Sequence, residues 1–330
     1  MGKGVTKNIA IIGAGQIGSR HLQALAKIQL PVSLDVVDCN PNALPTAQKR
    51  YLQIPSNKNI QSIRFLCSID ELSRNIDLCI ISTNANVRFE VFKELTTEKE
   101  ISYIILEKIV FQSQQQFTEA KDIMLQKKIS CWVNFPRRMY RIYNQLKDYF
   151  DENDKIKCTV TGGSWGLACN GIHFIDILAF FAHDTIYKLD NSKLDPNIWK
   201  SKRAGFVEVT GKLTGDFSKG SSIELDCANL SQEPKIITLN TSRIKLIIDE
   251  GLGIGKIATS KNRWKEDVIS FKIPLQSELT HLAANEILNT GTCNLTCYDD
   301  GMQLHLPFLE GIKQHIETTG KGKYDYCPIT

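Results

Sequence analysis

Gly13, Gly15 and Gly18, in the run Gly13-Ala14-Gly15-Gln16-Ile17-Gly18, are spaced to bring backbone N–H groups against a phosphate. Gly13 permits a tight turn after the apolar run Ile9–Ile12, and Gly15 leaves room for a pyrophosphate to approach the main chain. Gly18 allows the following helix to pack closely on the strand. The N–H groups of Gln16 and Ile17 open that helix, whose N-terminus favours anions. A second apolar run, Leu34–Val37, ends at Asp38, twenty residues after Gly18. A carboxylate there accepts both ribose hydroxyls of an adenosine and repels a 2′-phosphate, and Cys39 and Asn40 offer no arginine to neutralise one. These residues imply a dinucleotide site that takes NAD in preference to NADP. The bland alternatives are a tight βα turn and an ordinary strand-terminal Asp.

Further along, Lys108 follows the apolar run Tyr103–Leu106. In open α/β sheets ligands bind at the carboxyl ends of strands, so a lysine there faces the cofactor crevice. It reads equally as a solvated loop lysine paired with Glu107. His173 lies in the mostly apolar stretch Ile172–Leu178 with Asp176 three residues on, hence on the same helix face. By itself such a histidine reads as a satisfied core residue as readily as an acid/base. Arg137 and Arg138 follow Phe135-Pro136 and form either a solvated pair or a fork for a substrate carboxylate or nucleotide-sugar phosphate, with Arg138 the candidate contact. Trp165, after Gly162-Gly163, either stacks on a sugar face or caps a sheet.

The elements that must hold these groups fall into two parts. Up to residue 133, strands are expected at 8–12, 34–38, 63–66, 77–82, 103–106 and 129–133, alternating with helices at 16–28, 43–51, 70–74, 86–97 and 113–127. The strands are apolar throughout, as in a parallel sheet covered on both faces, so residues 1–133 are expected to form a doubly wound α/β domain. Residues 134–330 are expected to form an α+β domain for substrate binding and oligomerisation. Its helices are placed at 139–150, 172–182, 277–289 and 299–318. Its large, mostly antiparallel sheet is placed at Lys157–Thr161, Phe206–Leu213, Ser222–Cys227, Lys235–Leu239, Ile244–Ile248 and Val268–Ile273.

Composition narrows the class. The chain has 330 residues, 42% hydrophobic and 23% charged, with a net charge of +4 and no dense basic block, so nucleic acid is not implied. No run of about eighteen apolar residues suggests a membrane span. The N-terminus lacks an apolar signal core, and a strand follows Gly2 too soon for a lipid anchor, so a cytoplasmic protein is expected. None of the ten cysteines forms C-x-x-C, so most of them read as small buried hydrophobes in a reducing compartment, and no metal site is expected.

Over nearly its full length the chain resembles the Gfo/Idh/MocA family of nicotinamide-dependent sugar and cyclitol oxidoreductases. The glycine turn is followed by Arg20-His21, frequent in that family; Ile81-Ser82-Thr83-Asn84 matches the strand end that touches the nicotinamide half of the cofactor. Glu107-Lys108 matches its Glu-Lys-Pro motif, and Gly171-Ile172-His173-Phe174-Ile175-Asp176 its helix with a catalytic His. The resemblance implies a Rossmann fold with an open-sheet second domain. It implies cofactor contacts at Thr83, Asn84 and Glu107, a Lys108 ammonium on the reacting hydroxyl, His173 as general acid/base and Asp176 as its orienter. Lys108 and His173 then come from different domains and are expected to converge beside the nicotinamide. The substrate is a sugar or nucleotide-linked sugar, and the oligomer a dimer or tetramer built through the open sheet face. Tail Cys327–Thr330 and segment Gln276–Thr280 look like branches linked to bacterial surface-sugar synthesis. The chain also departs from the pattern. Ile109 replaces the motif proline, so the cis bond usual there is expected to be absent. Arg88 stands where His is frequent, Cys169 where many members carry Asp, leaving Asn170 as a neutral hydrogen-bonding substitute, and the loop before His173 is short. Two rival readings survive: a relative that uses NAD transiently to cleave glycosides or eliminate groups, and a cofactor-sensing regulator without catalysis.

Overall fold

The computed structural model describes residues 5–320 and 322–330; Gly2 lies outside them. The chain forms two compact units, residues 1–139 with 274–299, and residues 140–273 with 300–330. The segment 274–299, grouped by sequence with the second domain, thus packs with the first.

In the first unit, β1 (Lys7–Ile12), β2 (Val32–Val37), β3 (Ile60–Leu66), β4 (Asn75–Ile81), β5 (Glu100–Leu106) and β6 (Ser130–Val133) lie in the order β6-β5-β4-β1-β2-β3, all parallel. The two-residue strand Thr296–Cys297 adds antiparallel to β6. The order reverses between β1 and β4, the point at which a doubly wound sheet opens a crevice for a ligand. Helices α1 (Gln16–Leu25), α2 (Ala43–Tyr51), α3 (Ala85–Glu98) and α4 (Gln114–Lys127) make the crossovers. The core joins Ile9, Ile11, Leu34, Val36, Leu78 and Ile80 of the strands to Leu22 and Leu25 of α1. Ala283, Ala284 and Ile287 of the helix Thr280–Thr290 belong to the same core. Full burial of Ile287 alone is worth roughly 1.5–3 kcal/mol, which is why this distant segment docks here. Residues 70–74 are a turn rather than the expected helix. Glu71 Oε1 accepts from the N–H of Cys67 and of Ser68, and Ser68 Oγ accepts from Asp70 N, the contacts of a helix start, but the chain makes a single turn, closed by Leu72 N on Ile69 O, before β4 begins at Asn75.

The second unit begins with α5 (Arg141–Lys147), β7 (Lys157–Gly163), α6 (Leu167–Ala182) and β8 (Tyr187–Leu194). Strands β9 (Trp199–Lys200), β10 (Val207–Glu208), β11 (Gly211–Phe217), β12 (Ser222–Ala228), β13 (Ile236–Asn240), β14 (Ile244–Asp249), β15 (Ile254–Thr259) and β16 (Glu266–Ser270) follow. Eight of them form one sheet in the order β16-β15-β14-β13-β7-β12-β11-β8, antiparallel except at β7–β12. Residues of β12 alternate between buried and half-buried, the mark of a sheet covered on one face. The cover includes α6, where a side chain added at Gly171 would press on Leu225 of β12 and on Phe308. Strands β8 and β15 were not expected. Asp190, Asn191 and Ser192 are poor strand formers, tolerated in β8 because it lies at the sheet edge. The expected strand Phe206–Leu213 is broken at Val209–Thr210, where the Thr210 hydroxyl donates to Asp195 at 2.6 Å.

Candidate dinucleotide and proton-transfer site

The glycine turn is braced from two sides. Gly13 takes φ +92°, and a Cβ there would lie 2.9 Å from Thr83 N. A Cβ on Gly18 would lie 1.7 Å from the Gly13 carbonyl oxygen, so only glycine lets α1 start this close to the strand. Above Gly15 an added Cβ would meet nothing within 4 Å. That open space is what a pyrophosphate needs. No side chain caps the N-terminus of α1, which leaves its first N–H groups to a ligand. Asp38 Oδ2 accepts from Ala14 N at 2.7 Å, and Oδ1 accepts from Asn40 N at 2.9 Å. The carboxylate is therefore fixed against the turn, with lone pairs left for ribose hydroxyls.

On the other side of the switch point, Ser82 donates through its hydroxyl to Gly13 O at 2.7 Å. Thr83 Oγ1 is buried and has no hydrogen-bond partner among the described residues. A buried hydroxyl without a partner costs free energy unless a ligand satisfies it. Asn84, exposed, is the N-cap of α3 and likewise makes no side-chain cap. Together the open turn, the uncapped helix and the Thr83 hydroxyl fit a dinucleotide.

Lys108 stands just beyond β5 with 9% exposure. The Lys108–Ile109 peptide is cis, which corrects the expectation drawn from the missing proline. Arg88, 1% exposed, holds the main chain around it. Its Nη1 donates to the carbonyls of Glu107 at 2.6 Å, Val110 at 3.1 Å and Ile109, and its Nη2 donates to that of Thr83. Arginine's rigid fork of donors suits this clustering of carbonyls, whereas an imidazole offers two nitrogens at most.

Glu107 does not present its Oε1 to the turn. That oxygen accepts from Asn134 Nδ2 and lies 2.9 Å from His21 Nε2. Burial alone would push its carboxyl up; the hydrogen bonds from His21 and Asn134 and the Arg88 charge outweigh it and hold Glu107 below the usual carboxylate range. Sequence reading missed this use of His21, Asn134, Gln276 and Thr280. His21 was visible as a motif neighbour, but partners 86 and 259 residues away leave no local signal.

In the second unit, His173 and Asp176 share a face of α6, His173 half-buried and Asp176 fully buried. Trp165 donates its indole N–H to Asp226 O at 3.0 Å and packs edge-on to Phe174, with ring centroids 5.4 Å apart. Asn170 gives its amide N–H to Trp165 O at 2.7 Å, so that donor is already used in the turn leading into α6. A carboxylate does reach this helix end, from outside the motif. Glu208 Oε1 accepts from Ala168 N at 2.5 Å and Oε2 from Cys169 N at 3.3 Å. Arg138 is half-buried on the short 3-10 turn Pro136–Met139 of the first unit. Burial pushes the thiol of Cys158 up to about 12 and those of Cys79 and Cys131 up as well, as expected of unreactive core cysteines. No helix among the described residues is long and apolar enough to cross a membrane.

Comparison with known proteins bears on the fold. No curated protein gives a significant sequence match. Solved structures share the fold at low identity. An oxidoreductase from Agrobacterium radiobacter in complex with NAD+, L-tartaric acid and magnesium is 14% identical with a TM-score of 0.71, over 92% of this chain and 94% of its own. UDP-N-acetylglucosamine 3-dehydrogenase from Acidithiobacillus ferrooxidans is 12% identical at 0.71, over 96% and 99%. The apo scyllo-inositol dehydrogenase from Lactobacillus casei is 18% identical at 0.66, over 95% and 98%. Residues 7–135 match the Gfo/Idh/MocA family model, described as an oxidoreductase family with an NAD-binding Rossmann fold.

Proposed function

We propose that this chain is an NAD-dependent dehydrogenase acting on a hydroxyl, or in reverse a ketone, of a sugar or sugar derivative, nucleotide-linked sugars included. The observation that carries the reading is the strand end at Lys108, where Arg88 grips the carbonyls of Glu107, Ile109 and Thr83, together with the unsatisfied Thr83 hydroxyl and the open glycine turn. Bound NAD supplies the two-electron acceptor. The chain's own residues bind, orient and move the proton. Lys108 donates a hydrogen bond to the reacting oxygen and favours its alkoxide character; His173 takes the hydroxyl proton in oxidation and returns it in reduction. Arg138, Trp165 and Asn170 belong to the substrate side, and self-association through the open face of the eight-stranded sheet belongs to the same reading, as does work in the cytoplasm. Two of the structural neighbours, named for dehydrogenation of a nucleotide sugar and a cyclitol, support this substrate class.

The test is a screen of free and nucleotide-activated sugars for NADH absorbance with the purified protein and NAD. Steady NADH accumulation with one class is expected. Product formed while NADH stays bound and never accumulates would instead favour the glycoside-cleaving reading. NAD binding without any turnover would favour a regulator.

The cofactor choice has its own check. Calorimetry at matched ionic strength should find NAD(H) bound more tightly than NADP(H). The preference expected from a fixed carboxylate facing a phosphate near a protein surface is on the order of 1–4 kcal/mol, about fivefold to nearly a thousandfold. Asp38→Ala should narrow that gap and weaken NAD(H), because ribose hydroxyls and Ala14 N lose their acceptor. Tighter NADP(H) binding by the wild type would overturn the assignment.

A further inference from the structure

Five buried or half-buried side chains close a ring behind Lys108. Asn134 donates through Nδ2 to Glu107 Oε1 and, at 3.1 Å, to Gln276 Oε1. Gln276 donates through Nε2 to Thr280 Oγ1 at 2.9 Å. Thr280 Oγ1 lies 2.8 Å from His21 Nδ1, and His21 Nε2 lies 2.9 Å from Glu107 Oε1. With His21 neutral, one assignment of protons serves these contacts: Thr280 O–H donates to Nδ1, which lies nearer than the Gln276 carbonyl at 3.5 Å, and Nε2–H donates to the carboxylate. All donation in the ring then runs toward Glu107, its one member that only accepts. His21 is 0% exposed, and the cavity it lines with Asn134, Gln276 and Thr280 measures about 10 Å³, at the lower limit for one water molecule. Solvent therefore has little room to replace a lost member.

Glu107 is the residue before Lys108, and Arg88 grips the carbonyls of Glu107, Ile109 and Val110. The main chain at Lys108 is thus held through its carbonyls on one side and through the Glu107 carboxylate on the other. We propose that Gln276 and Thr280, on the segment 274–299, act through His21 and Glu107 as positioning residues for Lys108. This rests on the reading of Lys108 as the contact to the reacting hydroxyl. The segment 274–299 has a task beyond completing the core: it sets the tautomer of His21, and through it the orientation of the carboxylate that fixes the catalytic lysine's peptide.

The test uses the full-length protein with Thr280→Val, which keeps nearly the same shape and removes the hydroxyl, and with His21→Leu and His21→Gln. Hydrogen exchange is read without ligand. Thr280→Val and His21→Leu should speed exchange of the amides at 107–111 by about 10–100-fold, while β1 and β4 keep wild-type rates. His21→Gln, which can still donate to Glu107, should recover part of the protection. Unchanged exchange at 107–111, or equal acceleration across the whole first unit, overturns the proposal; the latter outcome marks a merely structural network. With a sugar that yields NADH, Thr280→Val should lower kcat and leave NAD affinity alone, and it should cost nothing more in a Lys108→Met background. Full additivity in that cycle also overturns it. Failure of the functional reading looks different: Lys108→Met then turns over at the wild-type rate, whatever the exchange data show. If no sugar is turned over, the exchange experiment alone decides.

Discussion

Replacement of Lys108 by Met should lower turnover about 10²–10³-fold, the usual cost of removing one preorganised donor from a developing oxyanion. Methionine keeps the length and much of the apolar volume of the lysine stem, so the strand end and the Arg88 grip on the neighbouring carbonyls should survive. On the proposed reading KM should rise as well, because an ammonium that donates to the reacting hydroxyl would do so in the ground state too. NAD affinity should change little, since the Thr83 hydroxyl, the Gly15 turn and Asp38 remain. The measurement is initial NADH formation over a range of sugar concentrations, with calorimetry of NAD binding beside it. Wild-type kcat in Lys108→Met would remove the lysine from the chemistry. A loss confined to NAD binding would make it a cofactor contact instead.

What the sequence discloses about this region follows a physical divide. Gly13, Gly15, Gly18 and Asp38 are readable because their roles are local: a turn, a close helix start and a strand end, all set within about one βαβ unit. Lys108 is readable because an apolar strand must end somewhere, and ligands gather at that end. Arg88, His21, Gln276 and Thr280 are not readable as a set. Their meaning lies in contacts between distant parts of the chain, and no periodicity records that His21 meets Thr280. The cis peptide at Lys108–Ile109 was misjudged for the same reason: local preference ruled it out without a proline, and tertiary hydrogen bonds from Arg88 surround it. The fold was legible where strands were apolar on both faces, as in β1, β4 and β5. It was less so in the second unit, where edge strands such as β8 carry Asp190 and Asn191, and where Glu208 reaches the start of α6 from about forty residues away.

His173→Asn should depress turnover about 10²–10⁴-fold, the range that a positioned acid/base contributes, and leave NAD affinity nearly unchanged. Asparagine preserves a hydrogen-bonding side chain on the half-buried face of α6 and cannot carry the proton, so a loss of rate with an intact fold isolates the proton step. The neighbouring carboxylate gives the second half of the prediction. Asp176 is fully buried three residues along the same helix, and Cys169 puts no acid one turn before the histidine. On the proposed reading Asp176 is the acid on this helix face that would orient the imidazole and favour its charged form. Asp176→Asn should lower kcat and move the acidic limb of the pH–rate profile to lower pH. The sign follows from linkage: a nearby carboxylate raises the pKa of an imidazole, so its removal lets the base stay neutral, and active, further into acid. An unmoved acidic limb in Asp176→Asn would take Asp176 out of contact with the base. An unmoved rate in His173→Asn would leave Lys108 as the chain's proton-handling residue and return His173 to the core of α6.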